Sequence, residues 1–492
     1  MAVKLHHLFI YPCMLLLLAM FIHASSLTWN WPVQHDNGML YSLGYQLLHG
    51  VAPYRDIFAL DMPGTILIHA MGIGLFGPGD LGNRELYLLW QILITVSIGS
   101  FFRKGAWPYA LAAGFAYAIY HMSTGVHQML QREYLMLPFL MLAAATILRR
   151  YGFLFGAAAA LACFVKPTAV IFGAFIFIIA CIRLPRKEQF SLFCAASAGA
   201  MSVTLAFALW LHAIGSLQDM VDTALNYIPI YNSMGPRPSL YAGLSWMWPY
   251  MLAALAMSLP LILKGDRRAA MLLAGYIYGL IHFFMQSFDW PHRLVPMHFF
   301  LIMQFFYTAY FYSQQHIGRY ISMLMLAFAC YLASPLYLIK PAKLAARTDT
   351  TARAQIVDMI GRSFPKNAPR TIQVIDIVTD LNYAITELGL APATRCIYPP
   401  IYYYKVEHAF VQKMLDNCLA DMEKQPPSLI VISSDSYPFV FTSFQTLKND
   451  RLSRLLERHY ILTIDGGAYQ IYRYEKHKAP PRLPDPLRSG AF

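Results

Sequence analysis

The sequence is short of charge. Only 13% of its 492 residues are Asp, Glu, Lys or Arg, against 57% hydrophobic and 15% aromatic residues. Soluble domains carry roughly 25% charged residues, so this composition, with a mean hydropathy of +0.44, points to a polytopic membrane protein. Familiar motifs are missing too. No GxGxxG, Walker, HExxH or GxSxG context occurs, which leaves no support for a soluble-nucleotide site. Cysteine is sparse at seven residues, with no CxxC pattern for zinc or dithiol chemistry. Cys13, Cys163, Cys181, Cys194 and Cys330 lie in or beside apolar runs, where Cys acts as a small hydrophobe. Cys396 and Cys418 stand in the polar C-terminal part and can pair if that part is extracytoplasmic. No basic stretch is interleaved with aromatics, so the net charge of +12 reads as membrane topology and not nucleic-acid binding. No internal repeat is visible.

Long apolar runs are what the chain has. A transmembrane helix needs about 20 mainly apolar residues. Spans are expected near 6–24, 84–102, 106–121, 133–148, 152–165, 168–183, 190–213, 242–263, 269–286, 294–313 and 319–338, about eleven in all. The first reads as a retained span and not a cleaved signal peptide, because so many follow. Threading them from a cytoplasmic N-terminus collects Arg103–Lys104, Arg149–Arg150, Arg183–Arg186–Lys187, Lys264–Arg267–Arg268 and Arg319 on one side, a positive-inside pattern. The other face then receives residues 25–83, the 122–132 turn, the 214–241 loop, the 287–293 turn and everything after about 340.

Within 25–83, residues 37–49 place Leu40, Leu43, Leu47 and Leu48 at helical spacing, with Asn37, Gln46 and His49 among the polar positions. Residues 63–78 form an apolar run opened by Pro63, which suits a first helical turn. Both read as helices lying on the membrane, joined by GVAPYRDIFALDM. Counting the second as a span would invert every later loop. After Ser334 the composition changes. TIQVIDIV, SLIVISSD and AYQIYRY read as strands, with DLNYAITELGL and KVEHAFVQKMLDNCLADMEK as helices between them. The expected fold is therefore an α-helical polytopic membrane module over 1–339, a small α/β domain over 340–478 on the extracytoplasmic side, and a disordered tail over 479–492.

Ionisable groups at the membrane edge are expensive and are functional candidates by default. On this topology one face collects Asp36, Arg55, Asp56, Asp61, Arg84, Glu85, Arg132, Glu133, Lys166, His292 and Arg293. Carboxylates can deprotonate a hydroxyl, and Arg and Lys can hold a phosphate. Bland readings stand beside each. Arg132–Glu133 and Arg84–Glu85 suit helix-terminal ion pairs. Asp56 can simply pair with Arg55 or close a turn. Lys166, in VKPT between two apolar runs, can snorkel to headgroups. His292 can be an interfacial histidine, although Asp289, His292 and Arg293 sit together in one short turn.

Asp36-Asn37-Gly38, PYRDIFALDMPG, LFG and Arg84 together resemble the first external loop of GT-C membrane glycosyltransferases. The resemblance is to family-39-like bacterial enzymes, relatives of protein O-mannosyltransferases and the lipid A aminoarabinose transferase. QREYLMLPFLML, FVKPTAV, YIPIYN, WPHRLVPMHFFLIM and ELGLAPATRCIYPP follow in order, so the likeness covers nearly the whole chain. It implies an inverting transfer of sugar from a polyprenyl-phosphate donor to an acceptor outside. The external site suggests a cell-envelope glycan, lipid or protein as acceptor, and the basic cytoplasmic loops with a compact C-terminal domain fit a bacterial inner membrane. The family's catalytic carboxylate falls on Asp36. Its frequent acidic neighbour is Asn37 here, which leaves one base and no expected metal or other cofactor. Lys166 and Arg293, or His292 in its place, would face the phosphate, and Arg55, Arg132 and Glu133 would organise the loop. Partners would be the lipid-linked donor, membrane lipids and the acceptor, without nucleic acid. A ligase or polymerase using a diphosphate-linked donor stays open. A transporter or flippase would place polar groups at mid-depth in paired halves, and a non-catalytic scaffold would leave the charged face unexplained.

Overall fold

A computed structural model describes residues 3–33, 35–233, 238–286, 290–315, 318–338, 350–364, 370–375, 380–397, 408–433, 450–466 and 469–476. The expected domain boundary near 340, the tail 479–492 and Asp289 lie outside the described residues.

The chain forms two compact units. The first comprises Met1–Leu48, Asp61–Leu217 and Asn232–Asp349. Its helices are α1 (Val3–Leu27), α2 (His35–Leu48), α3 (Pro63–Phe76), α4 (Asp80–Phe101), α5 (Trp107–Ser123), α6 (Arg132–Leu135), α7 (Leu137–Leu148), α8 (Gly152–Val165), α9 (Ala169–Cys181) and α10 (Arg186–Ala213), then, after the second unit's α11 (Leu217–Asp222) and α12 (Ile228–Tyr231), α13 (Leu240–Leu263), α14 (Arg267–Met285), α15 (Val295–Ser313) and α16 (Gly318–Leu338). Each expected span falls on helical chain, with 133–148 divided between α6 and α7. Phe9–Leu27, Arg186–Ala213, Arg267–Met285 and Pro291–Ser313 are long and apolar enough to cross a membrane.

Large apolar side chains such as Phe190, Met201 and Leu209 on α10 face outward, while Tyr87, Tyr117 and Tyr134 are fully buried. That inversion of the soluble pattern is what a lipid-facing bundle requires. Contact between helices relies on small residues: a Cβ on Gly156 of α8 would stand 1.8 Å from the Ala196 carbonyl oxygen of α10. At one end of this unit the loop charges tie to one another. Arg103 pairs with Asp266 at 2.7 Å, Arg268 donates to the Phe101 carbonyl and Arg149 to the Ser100 carbonyl. Asp266 also caps α14 through Arg268 and Ala269 N–H groups.

Helices α2 and α3 exist, but the surface reading needs correction. Leu48 is exposed whereas Asn37 and Gln46 are buried, and nine of the 14 residues of α3 are buried. These helices are packed into the bundle, so their polar positions turn inward.

The second unit comprises His49–Leu60, Gln218–Tyr231 and Thr350–Phe492. Its sheet is built from β1 (Thr371–Ile375), β2 (Ala391–Pro392), β3 (Leu429–Ser433), β4 (Tyr460–Asp465) and β5 (Tyr469–Tyr474), ordered β2-β1-β3-β5-β4. β1 runs parallel to β2 and β3, and β5 antiparallel to β3 and β4. Ile372, Val374, Leu429, Val431 and Ile471 form its core with Leu381 and Ile385 from the helix Asp380–Glu387 and Ile360 from the helix Thr350–Ser363. β2, β4 and the helices Thr350–Ser363 and Asp450–His459 add to the expected elements. Cys396 and Cys418 form a disulfide that ties the segment after β2 to the helix Ala409–Lys424.

Candidate functional site

Three local features of the first unit bring charge together. In VKPT, Pro167 cannot continue α8, and the residue before a proline is driven to extended backbone. Lys166 accordingly has φ −147° and ψ 113° at the end of α8. The carbonyl of Val165 there is taken by the Thr65 hydroxyl at 3.2 Å. α3 comes this close because residue 64 is glycine, whose Cβ would lie 2.6 Å from the Phe164 carbonyl oxygen. Before α6, Leu130 adopts φ +55° and turns the chain so that Arg132 and Glu133 open a short helix. A β-carbon-bearing residue in that region stores strain, and such strain clusters at functional sites. Finally, Pro291 starts a 3₁₀ turn, Pro291–Leu294, that buries His292 and Arg293.

The resulting cluster spans α2, α6, the α8–α9 break, α14 and the 3₁₀ turn. Arg132 lies 2.5 Å from Asp61 and 3.6 Å from Asp36. Lys166 Nζ lies 2.8 Å from Glu133 Oε1, an ion-pair contact outside hydrogen-bond angles. His282 Nε2 approaches the same oxygen at 3.5 Å. Its Nδ1 is 2.7 Å from the Thr168 hydroxyl, and Gln286 Nε2 stands 2.8 Å from Nε2. With Gln286 donating there, Nδ1 carries the proton and donates to Thr168. His292 lies within electrostatic reach of Glu133, Asp36, Arg132 and Arg293, and Lys166 within reach of Arg293. Three carboxylates thus face three strong cations and two histidines.

Solvent access separates the carboxylates. The Asp61 and Glu133 side chains are 0% exposed, whereas that of Asp36 is 44% exposed. Asp36 stands in the first turn of α2, where the helix favours a carboxylate. Among the described residues no group of three His, Cys, Asp or Glu converges to hold a metal ion. Asp36 and Asp61 meet over the Arg132 guanidinium instead.

Of the expected site residues, Asp36, Arg132, Glu133, Lys166, His292 and Arg293 are brought together. Arg132 reaches across to Asp61 and Asp36 and Glu133 to Lys166, which turns inward instead of snorkelling. Arg84 stands apart from this group. It is fully buried on α4, donates to Thr28 at 2.7 Å, and places its guanidinium carbon 4.7 Å from the Tyr87 ring centre and 5.9 Å from that of Trp31. It forms no pair with Glu85 and serves as a cation buried among aromatic faces.

Arg55 and Asp56 belong to the second unit. Both guanidinium contacts from Arg55 to Asp56 measure 2.6 Å, and Asp56 accepts the Ala52 N–H at 2.9 Å. The hydrogen bond from Arg55, with the smaller help of the Ala52 N–H, holds the Asp56 carboxyl below its ordinary range. Asp56 therefore both pairs and closes the turn. Asp61, a member of the charged face in the sequence but given no role there, joins the cluster; residues missed from sequence are His282, Thr168 and Gln286, and in the second unit Asp219 and Arg395. A histidine inside the apolar run of α14 was the available signal for His282.

No family model and no curated protein matches the sequence. Solved structures do. ArnT from Cupriavidus metallidurans bound to undecaprenyl phosphate aligns with TM-score 0.59 at 12% identity, over 93% of this chain and 97% of that one. The apo oligosaccharyltransferase of Archaeoglobus fulgidus aligns with TM-score 0.54 at 12% identity, over 97% and 75%. The archaeal oligosaccharyltransferase AglB from the same organism, in complex with an inhibitory peptide and a dolichol-phosphate, gives 0.51 at 12% identity, over 96% and 75%. From the helical bundle through to the C-terminal sheet, this chain has the fold of the GT-C membrane glycosyltransferases.

Proposed function

We propose that the protein is an inverting glycosyltransferase that moves a sugar from a polyprenyl-phosphate donor to an extracytoplasmic cell-envelope acceptor. One observation carries this reading: of the three clustered carboxylates only Asp36 is open, at 44% exposure, while its neighbours are cations suited to a phosphate. The fold relatives bound to undecaprenyl phosphate and dolichol-phosphate support the donor class.

In the proposed step Asp36 removes the proton from the acceptor hydroxyl. The acceptor oxygen attacks the anomeric carbon from the side opposite the phosphate. The carbon–oxygen bond to phosphate breaks, and its electron pair stays with the polyprenyl phosphate. Lys166, Arg293 and His292 stabilise that leaving group, Glu133 holds Lys166, and Asp61 holds Arg132. Cationic side chains carry the phosphate in this scheme, and no divalent metal is assigned to it.

The proposed orientation is N-terminus in the cytoplasm of a bacterial inner membrane, eleven spans, and the second unit outside. Support comes from the basic loops gathered at one end, from the joining of loops 49–60 and 218–231 with the C-terminal segment in one unit, and from the Cys396–Cys418 disulfide, which belongs to an oxidising compartment. The test is transfer from a radiolabelled polyprenyl-phosphate sugar by the full chain in proteoliposomes with an envelope-derived acceptor fraction. Asp36→Asn should lower transfer by about 10²–10⁴-fold. Full-rate transfer by that variant overturns the mechanism, and use of a diphosphate-linked oligosaccharide in place of the monophosphate donor would make the protein a ligase.

A further inference from the structure

Within the first unit, α8 and α10 approach as closely as their backbones allow. A Cβ on Gly199 of α10 would stand 1.9 Å from the Phe153 carbonyl oxygen, and one on Gly152 would stand 2.8 Å from the Ala195 Cβ. α9 packs on α8 as well, with the Phe155 and Phe177 rings stacked 6.0 Å apart. Between α9 and α10 runs a furrow of about 470 Å³, within the roughly 300–1,000 Å³ of ligand clefts. Phe177, Ile178 and Ile182 line it from the α9 side, and Arg186, Phe190 and Phe193 from α10. The α10 residues stand at i, i+4 and i+7, so one helix face carries all three. Phe177 and Phe193 meet edge to face across the furrow at 6.2 Å.

The turn at its mouth is held by one side chain. Gln189 Nε2 donates to the Cys181 carbonyl at 3.2 Å and to the Leu184 carbonyl at 2.8 Å, which satisfies acceptors left open at the end of α9. Arg186, the first residue of α10, is thereby fixed beside the furrow. Glu188 is engaged elsewhere, by Arg150 at 2.6 Å. Arg183 is turned to the α13–α14 loop, where its Nη1 would lie 3.1 Å from a Cβ on Gly265. Among the described residues no carboxylate pairs with Arg186. The 13 residues of α9 separate this mouth from Lys166, a distance of about 20 Å, so the furrow is distinct from the charged cluster.

We propose that the furrow binds one anionic phospholipid, its phosphate on the Arg186 guanidinium and one acyl chain along Phe190 and Phe193. The chemistry of the lining selects this occupant. An apolar wall takes the chain, and a free guanidinium takes the phosphate through paired N–H donors. Basic pockets between membrane helices bind anionic headgroups in this way. An apolar protein segment would leave Arg186 unpaired, and a soluble anion would leave the apolar wall uncovered. The site does not depend on the proposed transfer reaction.

The experiment takes the full chain, delipidated in detergent, and titrates it with phosphatidylglycerol or phosphatidylcholine, read by native mass spectrometry. Wild type should hold one phosphatidylglycerol per chain, about tenfold tighter than phosphatidylcholine. Arg186→Gln should lose that preference, and Ile182→Ser should weaken retention of both lipids. Lys187→Gln removes the same charge one position away, outside the lining, and should keep the preference. All three side chains are exposed, so none is needed for packing. Equal affinity of wild type for the two lipids overturns the site. So does equal loss in Arg186→Gln and Lys187→Gln, which would mean diffuse surface charge alone. A lipid-free dimer that Ile182→Ser dissociates would make the furrow an interface between copies and overturns the lipid assignment too.

Discussion

Lys166 and Glu133 meet inside the helical unit, Nζ 2.8 Å from Oε1, with the Glu133 side chain fully buried. The pair does different work for its two members. Glu133 is the anion within reach of Lys166, Arg132 and His292 together, so its charge offsets more than one cation. Lys166 is one of several cations around it.

Removing either member leaves an uncompensated buried charge, which costs about 3–5 kcal/mol for such pairs. Glu133→Gln should be the more destabilising single change, because the remaining cations then face one another. The double variant Glu133→Gln/Lys166→Met should recover much of the loss. Thermal unfolding of the full chain in detergent measures all three, and simple additivity of the two single effects would contradict the pairing.

Asp36 and Asp61 share Arg132 but should respond in opposite ways. The Asp36 contact is 3.6 Å and half-open to solvent, a pair of about 0–1 kcal/mol. Asp36→Asn should therefore melt like wild type while losing transfer. Asp61 is fully buried at 2.5 Å, so Asp61→Asn should lower the melting temperature clearly through loss of a desolvated partner. A variant of Asp36 that unfolds early would remove the argument that its effect on activity is chemical.

The 52–57 turn should depend on pH in one direction. Asp56 is lowered by the Arg55 hydrogen bond, so the folded turn favours its charged form. That contribution is complete above the ordinary carboxylate value of about 3.9 and is lost as pH falls through the lowered folded value. Exchange protection of the turn, corrected for intrinsic rates, should hold at about pH 5 and fall below about pH 4. Asp56→Asn should flatten that dependence.

Much of this was legible in the sequence, for identifiable reasons. Spans come from sustained apolar runs, which lipid makes obligatory, and all fall on helices. The charge cluster was readable because charge is scarce, so Arg132, Glu133, Lys166, His292 and Arg293 stood out. Their partners were not readable. Glu133 faces Lys166 and Arg132 faces Asp61 only through tertiary packing, and neighbouring charges in the sequence suggested local pairs instead. Arg84 suited a helix-terminal pair with Glu85 or a site charge, and is instead enclosed by Trp31 and Tyr87. The α2 pattern misled because a helix packed inside the bundle buries Gln46 as readily as Leu43. β4 follows its helix directly at His459–Tyr460 with no breaker between them, so no local signal marked the change.

The second unit is assembled from three stretches of chain, and that sets an order of events during synthesis. Arg395 follows Tyr54, whose carbonyl it binds, by 341 positions. At 5–20 residues per second, roughly 20–70 s separate the emergence of the two partners. The 52–58 turn must therefore wait for its partner while most of the chain is still being made. A fragment starting at Thr350 would lack both early segments, which makes this unit the last part of the protein to be completed.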